Sequence, residues 1–318
     1  MTAPQPEDRS GSEADDCAIS VIIPHLNQLT MLERCLDSIF AQTPPPGGFE
    51  VIVVDNGSDE PLERTLDRRR FPDVRLGTEK KPGPGPARNR GAAMARAPVL
   101  AFIDADCVAA GDWLRTIYRA FVENPELAVA GGNVRLLVKD PKRLSAAEAY
   151  ESVFAYRQRY YVEKLEFCAT LNMAVRKSVF ERVGPFGGIE IAEDTEWGRR
   201  AAAMGVKPAY LPDMLVYHPA RDSLGELCRK WDRILAHNYQ DTAFRSLGRL
   251  RWSMRAVLVA LSAGVHMMKV LSTDRLPNMR SRLAGVAGLW RVRLYRAGRM
   301  LAHAMRAPAE IRPETWNR

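Results

Sequence analysis

The chain has 318 residues, 46% of them hydrophobic and 26% charged, with a net charge of +8 and a pI near 9.4. That length allows one large domain or two modest ones, and the composition excludes wholesale disorder. The charge is uneven: residues 219–318 carry 19 Lys and Arg against 7 Asp and Glu, while residues 1–218 are net −4, so a near-neutral catalytic part and a basic attachment part are expected.

The polar, acidic first stretch (1–17) reads as a disordered leader without the apolar core of a secretory signal. The first strand is expected at Ile19-Ser-Val-Ile-Ile-Pro24, followed by a helix over about 30–42 with a Thr30/Glu33 capping box. Phe49 to Asp55 reads as a second strand running into the turn Asn56-Gly-Ser-Asp59. A helix over about 60–70, a short strand at 74–77 and a small-residue helix over 87–97 come next. Val99 to Ile103 is a fully apolar strand ending in Asp104-Ala-Asp106. Alternating strands and helices at this spacing predict a parallel α/β sheet, whose ligands sit beyond the carboxyl ends of the strands. Asn27, Asp55 and Asp104 fall at such ends.

Further along, a helix is expected over 112–123, strands at 127–131 and 133–138, and one long helix over 144–163. A strand at 168–175 and a helix at 176–183 follow. Another helix opens at Glu193-Asp194, and short strands at 207–211 and 214–217 end at His218. Beyond Pro219 the pattern is helical: 224–239, 247–271 and 279–305, with residues 307–318 a loose end. No run of about 18 uncharged apolar residues occurs, so no standard spanning helix is expected.

The chemistry concentrates in carboxylates. Asp104 and Asp106, one residue apart after a buried strand, suit a hard divalent cation that neutralises a diphosphate; the alternative is an acidic surface turn. Asp55 could accept hydrogen bonds from a ribose or base edge, or only close a turn. Glu193 and Asp194 could supply a general base or merely suit the helix dipole. His218 is either a third metal ligand or structural, and Arg88 either an anion contact near a helix start or a solvated arginine.

These pieces occur in an order that resembles the family 2 glycosyltransferases. They are Ser20-Val-Ile-Ile-Pro-His-Leu-Asn27, Val53-Val-Asp-Asn-Gly-Ser58, Gly85-Pro-Ala-Arg-Asn-Arg-Gly91, Phe102-Ile-Asp-Ala-Asp106, Thr170-Leu-Asn-Met-Ala174, Glu193-Asp-Thr-Glu196 and His218. The resemblance implies a GT-A fold: a Rossmann-like, mixed but mainly parallel sheet flanked by helices over 18–241, with a basic helical extension over 242–306. It implies an inverting transfer from a nucleotide diphosphate sugar, leaning to UDP, with Pro24, Asn27, Asp55, Arg88 and Asp104 as nucleotide-binding residues. It further implies Asp104, Asp106 and His218 around Mn²⁺ or Mg²⁺, and Asp194 as base with Glu193 as its substitute.

The Gln-x-x-Arg-Trp motif of processive members is altered to Leu227-Cys-Arg-Lys-Trp231, which argues for adding one sugar or few. Trp231 would line the acceptor side or simply pack in its helix. The expected partners are the donor and a glycan or lipid-linked acceptor, with no role for nucleic acid. Basic amphipathic helices in the extension would contact an anionic membrane peripherally. The five cysteines, odd in number and without CxxC spacing, fit a reducing cytoplasm. Together these features place the chain at the cytoplasmic face of an inner membrane, in cell-surface glycan or glycolipid synthesis. A Gly-x-Gly-x-x-Gly loop is absent after the first strand, which argues against a dinucleotide oxidoreductase. The alternatives left are a sugar nucleotidyltransferase and a catalytically inactive nucleotide-binding relative.

Overall fold

Continuous apolar runs become strands buried on both faces, as parallel sheets require. In the computed structural model, which describes residues 17–189, 192–221, 223–243 and 247–306, these runs are β1 (Ile19–His25), β2 (Phe49–Asp55), β3 (Val74–Thr78) and β4 (Val99–Ile103). Between them lie α1 (Leu29–Phe40), α2 (Leu62–Thr65) and α3 (Pro84–Met94). After β4 come β5 (Val108–Ala109), α4 (Trp113–Glu123), β6 (Val129–Leu137), α5 (Ala146–Phe154), α6 (Gln158–Leu165), β7 (Asn172–Arg176), α7 (Lys177–Val183), α8 (Glu193–Ala203) and β8 (Pro208–Pro219). The chain closes with α9 (Leu224–Ala243), α10 (Gly248–Ser272) and α11 (Met279–Ala304). The sequence segments expected as leader and tail lie outside the described residues.

The eight strands form one sheet in the order β3-β2-β1-β4-β7-β6-β8-β5. Pairs β1–β2, β2–β3 and β1–β4 are parallel, and β4–β7 and β6–β7 antiparallel. The parallel register brings His25 opposite Asp55 and Asp55 opposite Thr78, so the loops after β1 and β2 emerge at one edge.

Several sequence expectations change, each for a physical reason. The capping box at Thr30 does not form. Helix α1 starts one residue earlier after Gln28, because Asn27 is held in a left-handed conformation (φ 53°) by the next loop. The helix expected over 60–70 is only Leu62–Thr65. Arg68 turns out of it to donate to the carbonyls of Val74 and Pro72, and the Asp67 carboxylate accepts from the amides of Arg69 and Arg70. The long helix over 144–163 breaks into α5 and α6 at Tyr156, where φ is +45°. The two short strands expected before 138 fuse into β6, and the two before 218 into β8.

The chain forms two compact units: residues 1–133 with 158–216, and residues 134–157 with 217–318. The second unit therefore begins well before the expected extension at 242, since α5 belongs to it.

In the sheet unit, Ile22, Ile52, Val54, Leu100 and Phe102 pack beneath Phe180, Phe186 and Trp197. Two buried polar clamps fix the strands. Glu50 accepts from Ser20 and the Arg96 amide and pairs with Arg75 and Arg96. Burial opposes its charge, but these donors outweigh it and hold its carboxyl down at about 2. Asn172 donates to the carbonyls of Asn133 and Met214 and accepts from the Trp113 indole, tying β7 to β6, β8 and α4.

The helical unit packs α5, α9, α10 and α11 around Tyr150, Val153, Leu227, Ala263 and Leu289. A second cluster joins Tyr239, Trp252 and Met300. Helix α5 has a complete capping box, Ser145 with Glu148. Helix α10 is long and apolar enough to cross a membrane by length and composition, which the sequence reading did not anticipate.

Candidate active site

At the carboxyl edge of the sheet unit the chain alternates burial after β4. Ala105 and Cys107 turn inward while Asp104 and Asp106 remain half-buried at the edge. Arg88, on α3, is buried to 3% exposure and reaches two carboxylates at once. Its Nη2 donates to Asp104 Oδ1 at 2.5 Å and its Nη1 to Glu193 Oε1 at 2.8 Å. Burial works against its charge, but these carboxylates prevail and raise its pKa. Its Nε is buried without a partner.

Close packing makes this reach possible. A side chain at Gly85, at the start of α3, would collide with the Gly187 carbonyl, so glycine lets α3 approach the loop that leads to Glu193. Asn89 reinforces the approach by exchanging two hydrogen bonds with the Phe186 backbone, at 2.9 and 2.8 Å.

Glu193 and Asp194 occupy the first turn of α8, where the helix dipole favours negative charge. Asp194 has its carboxyl pKa raised by burial first and then by the charge of Glu193, against a hydrogen bond from the Thr195 amide. A carboxylate shifted upward is better matched to taking a proton near neutrality.

The loops after β1 and β2 are stitched together. The Asn27 side chain donates to the Asp59 carboxylate and accepts from the Asp59 amide, and the Asn27 backbone N–H donates to Ser58 Oγ. Asp55, 3% exposed, accepts from the amides of Ser58 and Leu62, so it does close the turn. Pro24 is the penultimate residue of β1, and His25 beside it is buried with an unpartnered Nδ1 and its pKa lowered by burial. His25 and Asn56, whose side-chain amide bonds to Glu79, Lys81 and Gly83 close the loop before α3, lie inside the quoted motifs but are not among the site residues expected from sequence, because their partners are distant along the chain.

No group of three or more His, Cys, Asp or Glu suited to a metal occurs among the described residues. The donor set still fits a small hard cation, which is commonly held by one or two carboxylates with water and substrate phosphates completing the shell. Asp104 and Asp106 offer such carboxylates. The neighbouring thiols of Cys35 and Cys107 are pushed up by burial and stay protonated, so they do not compete as thiolates.

His218 and Trp231 belong to the helical unit. His218 Nε2 lies 2.8 Å from the Tyr156 hydroxyl and its Nδ1 2.7 Å from the Pro219 carbonyl. Trp231 is covered by the Arg296 guanidinium, 3.5 Å above the ring, with its indole N–H buried and unpartnered. A concavity of about 700 Å³ beside β3, lined by Glu63, Arg68, Val74 and Met94, gathers none of these residues.

The family model "Glycosyl transferase family 2" matches residues 20–184. Glycosyltransferase AglE of Haloferax volcanii is 32% identical over 222 residues, covering 68% of this chain and 71% of the relative. A pre-mycofactocin glycosyltransferase of Mycobacterium tuberculosis is 28% identical over 229 residues, covering 70% of this chain and 47% of the relative. The fold resembles the mannosyltransferase PcManGT of Pyrobaculum calidifontis, solved with GDP-Man and Mn2+. The TM-score is 0.50 at 19% identity, over 94% of this chain and 78% of that one.

Proposed function

Because this chain belongs to the family 2 glycosyltransferases and is a glycosyltransferase of the GT-A α/β type, we propose that it moves one sugar from a nucleotide diphosphate donor, UDP-linked, to an acceptor hydroxyl with inversion. The observation that carries the proposal is Arg88, which ties the Asp104 strand end to Glu193 and so gathers the cation-type pair and the base-type pair at one sheet edge.

In the proposed mechanism, Pro24, Asn27 and Asp55 bound the base and ribose end of the donor, on loops hydrogen-bonded to one another. Arg88, Asp104 and Asp106 take the diphosphate end. Asp104 and Asp106 would hold a Mn²⁺ or Mg²⁺ ion, which would supply positive charge for the diphosphate. Asp194 accepts the acceptor hydroxyl's proton as its oxygen bonds to the anomeric carbon. The bond from that carbon to the diphosphate breaks, and its electron pair leaves with the diphosphate. Burial, with the charge of Glu193 added to it, raises the Asp194 carboxyl, which favours Asp194 as the base. His218 joins the proposal on motif order alone. Trp231, packed under Arg296, is the less favoured acceptor residue.

We place the acceptor among glycans and lipid-linked saccharides and the enzyme peripherally at the cytoplasmic face of an anionic membrane, in bacterial cell-surface glycan or glycolipid synthesis. The test is binding and slow hydrolysis of UDP-, GDP- and dTDP-sugars with Mn²⁺, Mg²⁺ or EDTA, for wild type and Asp106→Ala. Metal-dependent release of one nucleotide diphosphate, lost in the variant, is expected. A folded protein that binds no donor would overturn the reading.

A further inference from the structure

Helix α10 has two apolar faces, and protein covers only one. Trp252, Ala256, Ala263 and Val270 are buried within the helical unit. Leu250, Met254, Leu258, Leu261 and Val265 recur at spacings of three and four and stand exposed, Leu258 and Leu261 at 65% and Val265 at 78%. At roughly 100° per residue they lie opposite the buried face. Helix α11, packed against α10, repeats the pattern with exposed Leu283, Trp290, Leu294 and Leu301. Two adjacent stripes of this kind are far from the scattered apolar residues of an ordinary surface.

Charge completes the description. The 25 residues of α10 and the 26 of α11 contain ten Lys and Arg and not one Asp or Glu. Arg251, Arg255 and Lys269 fall along one flank of the α10 stripe, about 60–100° from its centre, and all three are exposed. Arg280 and Arg291 border the α11 stripe and are also exposed. A face that is apolar at its centre and purely cationic at its rim complements an anionic lipid surface.

Crossing is the rival arrangement, and the helices oppose it. Arg255 and Lys269 are about 21 Å apart along α10, within a hydrocarbon layer of about 30 Å. Helix α11 would have to enter beside it with six arginines in its length. The buried face of α10 would also have to leave its packing.

We propose that the outer faces of α10 and α11 form a membrane-docking surface that lies flat in the interface of an anionic bilayer, with the leucines among the acyl chains and the arginines against the lipid phosphates. The proposal rests on the peripheral-membrane reading above and adds which surface docks and in what orientation.

The test uses the full chain and flotation with vesicles of phosphatidylglycerol and phosphatidylcholine, beside vesicles of phosphatidylcholine alone. Leu258→Glu and Leu261→Glu change only exposed positions. Circular dichroism and release of nucleotide diphosphate from a donor sugar in detergent-free buffer monitor the fold and the sheet unit. Expected are binding to the anionic vesicles, at least about tenfold weaker binding to neutral ones, and a similar loss in either variant. Bound protein should be released by alkaline carbonate. Resistance to carbonate, or equal binding to both vesicle types, would overturn the flat anionic docking. Absence of binding would overturn it too, including the case of a dimer that Leu261→Glu dissociates, which would give the face to a second copy. Donor release separates the two readings: a chain that floats without hydrolysing any donor loses the catalytic proposal, and one that hydrolyses donor without floating loses the docking surface.

Discussion

The sheet unit and the terminal helices α10 and α11 handle charge in opposite ways. In the sheet unit, buried charges are matched: Arg88 lies between Asp104 and Glu193, and Glu50 between Arg75, Arg96 and Ser20. The helical unit has a buried pair of this kind, Glu151 with Arg221, but the long α10 and α11 carry only cations, and Asp232, which pairs with Arg299 and Tyr295, is half-exposed. Matched buried charge holds atoms in place for chemistry, whereas unmatched surface charge waits for something outside the chain. Polar substitutions should therefore be felt strongly at matched buried charges and weakly at the exposed or half-exposed charges of the terminal helices.

The largest effect is expected at Asp106. Asp106→Ala should lower turnover by about 10³-fold while the thermal unfolding midpoint barely moves. Near-normal turnover would remove the cation pair from the site. Next is Asp194→Asn, expected to lose about 10²-fold in kcat, with Glu193→Gln milder. Since burial and Glu193 raise the Asp194 pKa, wild-type kcat should rise with pH through a point above the ordinary carboxylate range, as the base loses its proton. A profile flat across the acidic range would exclude Asp194.

Stability effects follow. Asn172→Ala removes one acceptor and two donors at a fully buried site and should cost about 3 kcal/mol in urea unfolding. Glu50 contributes in a pH-dependent way. Its carboxyl is held at about 2 when folded against an ordinary 4.5, so its stabilisation is present above about 4.5 and fades as pH falls towards 2. With both arginine partners more than a third exposed, screening reduces the loss to the order of 2 kcal/mol. Glu50→Gln should flatten that acid limb. Smallest is Asp232→Asn in the helical unit, about 1 kcal/mol or less. A larger loss there than at Glu50 would erase that contrast.

The strands were legible because a doubly buried strand needs an unbroken apolar run, and Ile19–Pro24, Phe49–Asp55 and Val99–Ile103 are such runs. The carboxylates at their ends were legible too. What the sequence hid depends on distant partners. Ala155, Tyr156 and Arg157 contain no helix breaker, yet the helix stops there: Tyr156 bonds to His218, 62 residues on, and Gln158 turns its amide to Ala169 and Asn172. Read alone, Arg88 is a solvated arginine. Its two carboxylates lie 16 and 105 residues away, so only the motif order pointed to it. Asn172 stood inside a matched motif with nothing local to mark it as the clamp of three strands.

The place of α5 has a consequence for how this architecture can be divided or inherited. Because residues 134–157 are lent from the middle of the chain to the helical unit, that unit is not a detachable tail. Gly288 on α11 lies so close to the Ala146 carbonyl that any side chain there would collide with it, and Leu289 and Val292 share a core with Tyr150 and Val153. A chain ended near residue 241 would strip the cover from α5 and leave its apolar side in water. A shuffled copy of residues 242–306 on another enzyme would arrive without the helix it folds around. Exchange between relatives should therefore move α5 and the terminal helices together, as one inherited block encoded in two separate places.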